Sequence, residues 1–178
     1  NKLNYSDAIF MFILIGVSVG GCYIYLLKNK KNKEKLLIFI CLLMVVVIAM
    51  FPHMNEFLIK GHDLDFHLMR IEGIYYGLKN GEFPVRINSL QSNGYGYISP
   101  IMYPQLLLYF PALFRFLNLS LLNCYKILVW SGTIITTLVS YHSFKRILKS
   151  SWGGMLASSL YTLGLYRITN VYCRAAVG

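Results

Sequence analysis

An all-α, multi-spanning membrane protein is what this sequence predicts, and three observations carry that expectation. Hydrophobic residues make up 56% of the 178-residue chain and charged residues only 13%, where a soluble domain carries about 25% charge. Uncharged apolar runs recur at lengths suited to crossing a bilayer. Basic residues gather in short clusters beside those runs, the mark of cytoplasmic loops. The net charge of +10, from 17 Lys+Arg against 7 Asp+Glu, therefore points to membrane lipids as partners. No basic stretch interleaved with aromatics offers a nucleic-acid platform.

The elements follow in order. Ala8–Leu27 is uncharged and about 20 residues long, enough to span. Lys28–Lys35 reads KNKKNKEK, a compact basic turn. Leu36–Phe51 is again uncharged and apolar, and Pro52 closes it. Residues 1–51 thus predict a transmembrane hairpin whose basic turn, residues 28–35, is cytoplasmic. Residues 52–120 then form an extracytoplasmic loop. His62–Tyr76 is its helical stretch, with Gly77 and Gly81 as breakers, and Asn93-Gly94 and Ser99-Pro100 mark turns. Ile101–Leu119 is apolar but contains Pro104, Gln105, Pro111 and Arg115.

Topology arbitrates that segment. Leu121–Phe144 is a span followed directly by Lys145, Arg146 and Lys149. If residues 145–151 are cytoplasmic, the span runs inward, and Ile101–Leu119 stays outside as an interfacial helix. Trp152–Tyr166 is expected to return outward, completing a transmembrane pair over residues 121–178. It delivers Arg167, Asn170 and Arg174 to the outer face. Cys22, Cys41, Cys124 and Cys173 lie far apart, mostly in apolar stretches, with neither metal-ligand nor disulfide spacing. A start at Asn1 and an abrupt stop at Gly178 read as the N-terminal piece of a longer protein, of unspecified oligomeric state.

Chemistry concentrates in Gly61-His62-Asp63-Leu64-Asp65-Phe66-His67-Leu68-Met69-Arg70. On a helix, Asp63, His67 and Arg70 share one face, while Asp65 and Glu72 lie on another. An Asp and a His one turn apart suit a base with its orienting partner or a divalent metal. Asp63 and Asp65 together suit a metal bound to phosphate. The same residues also suit a plainer role: Asp63 as helix cap, Asp65 for the helix dipole, His67 and Arg70 paired to them. Arg86, Arg167 and Arg174 could hold phosphate or anchor the interface. Tyr95, Tyr97 and Tyr103 belong either to an aromatic belt or to a sugar-stacking surface, and Gly94 and Gly96, on either side of Tyr95, permit close backbone approach. P-loop, GxGxxG and GxSxG patterns are missing from the sequence.

The runs GHDLDFHLMRIEGIYYGLKNGEFPVRI, NGYGY, YPQLLLYFPALF and YRITNVYCRAAVG, within about residues 50–178, resemble large bacterial multi-spanning membrane proteins with a "6-pyruvoyl-tetrahydropterin synthase-related" domain. They are similar to YfhO-like proteins and to the GT-C superfamily of membrane glycosyltransferases. Nothing resembles the zinc-histidine site of the soluble pterin enzyme. The resemblance implies a GT-C-like fold with interfacial helices in its large outer loop. It implies a polyprenyl-phosphate-linked sugar as donor, transferred at the outer face in cell-envelope assembly. By resemblance, Asp63 and Asp65 fall where GT-C enzymes place outer-loop acids. Asp63 would be a general base, or would bind a divalent metal with Asp65. His67 would orient or ligate, and Arg70, Arg86, Arg167 and Arg174 would hold the lipid phosphate. The hairpin Ala8–Phe51 departs from the family, since many members have one helix there. The alternative is a non-enzymatic scaffold or a lipid or polymer transporter. A transporter needs ionisable groups within its spans, and only Lys126 and His142, both near span ends, answer to that.

Overall fold

The computed structural model describes residues 33–55, 58 and 60–175. The expected span Ala8–Leu27 lies outside the described residues, as does most of the basic turn. Among the described residues the regular elements are helical, and the only β pairing is an isolated antiparallel bridge between Asn88 and Tyr97.

Helix α1, Lys33–Met50, runs on into a 3-10 turn, Phe51–Met54, with Pro52 in its first turn. Together they give 22 residues, about 33 Å at 1.5 Å per residue, enough for a hydrocarbon core of about 30 Å. Ile38, Leu42, Val46 and Ala49 form its buried stripe, spaced by three or four residues, while Leu37, Met44 and Ile48 remain exposed. Apolar side chains on both faces suit a helix that meets protein on one side and lipid on the other.

Helix α2, Leu64–Lys79, buries Leu64, His67, Arg70, Ile71, Gly73, Ile74 and Gly77. Gly77 does not break it as expected; the helix continues to Lys79 and ends where Gly81 takes a φ of 82°. Gly73 and Gly77 instead flatten one face of α2. A Cβ at Gly77 would lie 2.5 Å from Val85 Cγ2, and one at Gly73 would lie 2.2 Å from Asn88 Oδ1. The 85–88 segment seats there. Asn88 donates to the Met69 carbonyl, accepts from the Leu90 amide, and exchanges backbone hydrogen bonds with Tyr97.

The expected interfacial helix Ile101–Leu119 is divided. A single turn, Ser99–Met102, and an extended Tyr103 precede helix α3, Leu106–Arg115. At 10 residues, α3 is about 15 Å long, far short of a bilayer. Leu106, Leu107, Phe110 and Leu113 are exposed on it, while Leu108, Pro111 and Ala112 are buried. Arg115 is accommodated in this apolar stretch by a two-pronged salt bridge to Glu72 of α2.

Helix α4, Leu121–Leu148, has 28 residues and runs four beyond the expected Phe144. The Ser120 side chain caps its start by accepting from the Asn123 amide, and Lys149, with φ 50°, ends it. Helix α5, Ser151–Thr162, folds back against α4. It spans 12 residues, about 18 Å, where a longer span was expected over Trp152–Tyr166. The chain breaks at Leu163 and Gly164, then continues as α6, Leu165–Thr169, and a π-helical turn, Asn170–Arg174.

Small polar residues join α4 to α5. Thr137 and Thr162 hydroxyls lie 3.1 Å apart, Ser140 and Ser158 2.8 Å apart, and Ser158 also donates to the Thr137 carbonyl. Gly154 brings α5 against Lys145, where an added Cβ would lie 2.8 Å from backbone atoms. Close approach through small residues and inter-helix hydroxyl bonds is how helices associate where water is scarce.

The far end of α1 meets the start of α4 and the tail. Lys126 donates to the Asn55 carbonyl, and Tyr172 donates to the Ala49 carbonyl. Because α1 packs along α4 and α5, its starting residues Lys33 and Lys35 fall at the same end as Lys145, Arg146 and Lys149. The described residues of the two basic clusters therefore share one end of the bundle, and the 60–119 layer covers the other.

Candidate functional site

The start of α2 is built against the end of the described chain. The His62 amide donates to the Cys173 carbonyl and the Asp63 amide to the Arg174 carbonyl, each at 3.0 Å. Gly61 permits this contact. A Cβ there would lie 2.8 Å from Ala175 Cβ and 3.1 Å from the Tyr172 carbonyl oxygen. Residues more than a hundred positions apart thus meet at the end of the bundle away from the basic clusters.

Asp63 occupies the N-cap of α2, yet its side chain makes no capping hydrogen bond. The carboxylate is exposed. His67, one turn on, is 8% exposed, and its Nδ1 is buried with no hydrogen-bond partner. A buried polar atom left unsatisfied costs about 1–3 kcal/mol, so this orientation of the ring carries a penalty that a bound hydroxyl or water would relieve. Burial lowers the His67 pKa below its ordinary value, the neighbouring Arg70 lowers it further, and Asp63 pulls the other way. The imidazole is neutral at pH 7.

Arg70 is the third residue of the expected face. It is 4% exposed, and its guanidinium lies over the rings of Phe66 and Tyr103, at 5.4 and 5.5 Å from their centroids. Its Nη2 donates to the Pro104 carbonyl at 2.7 Å. Arg70 therefore fastens the extended 103–104 segment onto α2, and Tyr103 is held edge-on to Phe66. Among the described residues, neither His67 nor Arg70 forms an ion pair with Asp63 or Asp65. Of the plainer expectation, Asp63 at the N-cap position and Asp65 in the first turn of α2 hold, while the side-chain cap and the pairing of His67 and Arg70 with the carboxylates do not. Gln105 adds a feature that pattern reading missed. Its amide donates to the Val85 carbonyl and Tyr109 hydroxyl, while its Oε1 is buried without a partner.

The other expected site residues divide. Arg174 adjoins Asp63 through the backbone pairing, and its guanidinium is exposed, 3.5 Å from Asn170 Oδ1. Asp65 is exposed in the first turn of α2, about 200° around the axis from Asp63, so the two carboxylates diverge. Among the described residues no three of His, Cys, Asp and Glu gather as a metal site. Arg86 follows Val85, which seats on Gly77, and so stands about 21 Å along α2 from Asp63. Tyr95 is 93% exposed beside the Ser92–Gly94 turn, and Tyr97 pairs with Asn88. Arg167 lines a separate cleft between α4, α5 and α6, to which α2 contributes nothing.

Among the described residues the chain is all-helical, with two helices, Lys33–Met54 and Leu121–Leu148, long and apolar enough to cross a membrane. Comparison with protein-family models, curated proteins and solved structures returned no match.

Proposed function

We propose that this chain belongs to a GT-C-like membrane glycosyltransferase, which transfers a sugar from a polyprenyl-phosphate donor at the outer face of the membrane. The observation that carries the proposal is the uncapped Asp63 carboxylate beside the buried, unpartnered Nδ1 of His67. A carboxylate at an N-cap ordinarily bonds the first-turn amides. One that does not is available to a substrate.

In the proposed reaction Asp63 accepts the proton of the acceptor hydroxyl as that oxygen attacks the anomeric carbon. The bond from that carbon to the lipid phosphate breaks, with inversion, and the phosphate leaves with the electron pair. On substrate binding the neutral His67 ring turns to bring Nδ1, buried in the free protein, to the acceptor. Arg174 offsets charge on the leaving phosphate, and Tyr103 offers a ring face beside the site. A divalent metal was expected at Asp63 and Asp65, but the two diverge and, among the described residues, no third protein ligand joins them, so no step runs through one.

The test is lipid-linked sugar transfer by the full-length protein at matched membrane abundance. Asp63→Asn is expected to lose about 100-fold or more, whereas Asp65→Asn stays within a few fold of wild type. Wild-type rates in Asp63→Asn would overturn Asp63 as the base, and no transfer by the wild-type protein would overturn the transferase and leave the scaffold or transporter alternative.

A further inference from the structure

Between α4, α5 and α6 lies a cleft of about 610 Å³, lined mostly by apolar and small residues. Arg167 enters it half-buried, and its Nη2 donates to Thr133 Oγ1 at 3.2 Å. Thr133 lies about 18 Å from the start of α4 and about 22 Å from its end at 1.5 Å per residue, so the guanidinium is held near the middle of the span. An arginine keeps its charge there. Among the described residues its Nε and Nη1 have no acceptor, and no acidic residue lines the cleft. A charge at mid-depth is costly in lipid and is ordinarily paired.

Depth selects the anion that answers this charge. A lipid phosphate stays at the headgroup level, about 15 Å away. A dissolved anion would have to shed its water to arrive. A helix that carries one Asp or Glu brings its carboxylate to mid-depth through the burial of its own apolar residues. The cleft also has the surface such a helix needs. Val129, Gly132 and Thr136 share one stripe of α4. Gly132 is exposed, with nothing within 4 Å of an added Cβ, so a second backbone can come close. Leu160 and Tyr166 stand exposed on the opposite rim. The apolar runs Ala8–Leu27, Leu36–Phe51, Leu121–Phe144 and Trp152–Tyr166 contain no Asp or Glu, so a second copy of this chain cannot supply the acid from a span. From this charge complementarity we infer that the cleft is the docking groove for a transmembrane helix of a partner protein, with a carboxylate at mid-depth on Arg167 and its backbone against Gly132. The inference needs these helices to lie in lipid, but not the transfer reaction, since α2 and its Asp63 face contribute nothing to the cleft.

The probe is a synthetic leucine-alanine peptide of about 20 residues, long enough to span, with a single central Glu. It is mixed with the full-length protein in phosphatidylcholine vesicles, and association is read by fluorescence energy transfer. The wild-type protein is expected to bind it at least about fivefold more tightly than the same peptide with a central Leu. Moving the Glu about two turns toward either end should remove the preference. Arg167→Gln should remove it as well, while Arg167→Lys, which keeps the charge, should retain part of it and so separates loss of charge from a folding defect. Gly132→Leu should weaken both peptides by closing the approach to α4. Isotope-edited infrared spectra of a labelled Glu should show an ionised carboxylate with the wild-type protein and a protonated one with Arg167→Gln. Equal binding of the Glu and Leu peptides by the wild-type protein overturns the inference. So does a preference that survives Arg167→Gln or ignores Gly132→Leu, which puts the contact outside the cleft. Failure of both peptides to bind overturns it too, since the groove is then closed to a partner helix. Recovery of the protein without detergent removes the membrane premise. Transfer activity, read separately with Asp63→Asn, fails or stands independently of all these results.

Discussion

Removing the Glu72 carboxylate is expected to loosen α2 from α3 by an amount the geometry bounds. Arg115 Nε donates to Glu72 Oε2 at 2.7 Å, and Nη2 donates to Oε1 at 2.8 Å. The two side chains are 22% and 16% exposed, Arg115 first. A fully exposed pair is worth about 0.2–1 kcal/mol, and breaking a fully buried one costs about 3–5 kcal/mol. With roughly four-fifths of each side chain removed from water, Glu72→Gln should cost about 2 kcal/mol, after discounting for the exposed remainder. Arg115 also donates to the Leu119 carbonyl and lies over the Tyr75 ring. Arg115→Met should therefore cost more than Glu72→Gln. Unfolding the full-length protein in mixed micelles with increasing dodecyl sulfate, for both single variants and the double, yields the coupling energy. About 1.5 kcal/mol is expected, near the middle of the range for coupled neighbours. A coupling below about 0.5 kcal/mol would refute the claim that this pair holds the outer layer together.

Three further outcomes are expected. Gly61→Ala forces its Cβ against Ala175 and Tyr172, so the His62 and Asp63 amides should exchange hydrogen faster, with a stability loss of about 1–3 kcal/mol; unchanged exchange would show that the clamp yields freely. Gly73→Ala drives a Cβ into the Asn88 amide, breaking its bond to Met69 at a cost of about 2–4 kcal/mol, read as a lower melting temperature with α1, α4 and α5 still protected from exchange. The third concerns pH. His67 has its pKa lowered from 6.5 by burial, so the unfolded chain takes up its proton first as pH falls. Stability is then full above about pH 6.5 and declines below it, toward the depressed folded pKa. His67→Asn should flatten that decline, and because both proteins retain His53, the other buried histidine, their difference isolates His67; parallel profiles would refute the assignment.

Much of the bundle was legible in the residues. Leu36–Phe51 and Leu121–Phe144 appear as α1 and α4 within a few residues, because a long uncharged run has no other way to satisfy its backbone away from water. The basic cluster that follows Leu121–Phe144 ruled out a span over Ile101–Leu119, and α3 is indeed too short to cross. Trp152–Tyr166 was less legible. Its composition suits a span, but Gly164 and the hydroxyl contacts of Ser158 and Thr162 with α4 set where the helix stops. Gly77 misled for a similar reason. A glycine's local preference is to break a helix, while its contact with Val85 rewards keeping one.

By itself the sequence determined the helical architecture, the apolar lengths and the i, i+4, i+7 face of Asp63, His67 and Arg70, since these follow from local periodicity and composition. Tertiary structure alone decided which partners those residues meet. It joined Asp63 to Arg174 across the chain, engaged Arg70 with Pro104 and Tyr103, left His67 Nδ1 unpaired, and removed Arg86 and Arg167 from the group. Such pairings depend on how far apart in sequence two segments lie when packing brings them together, and no local pattern encodes that distance.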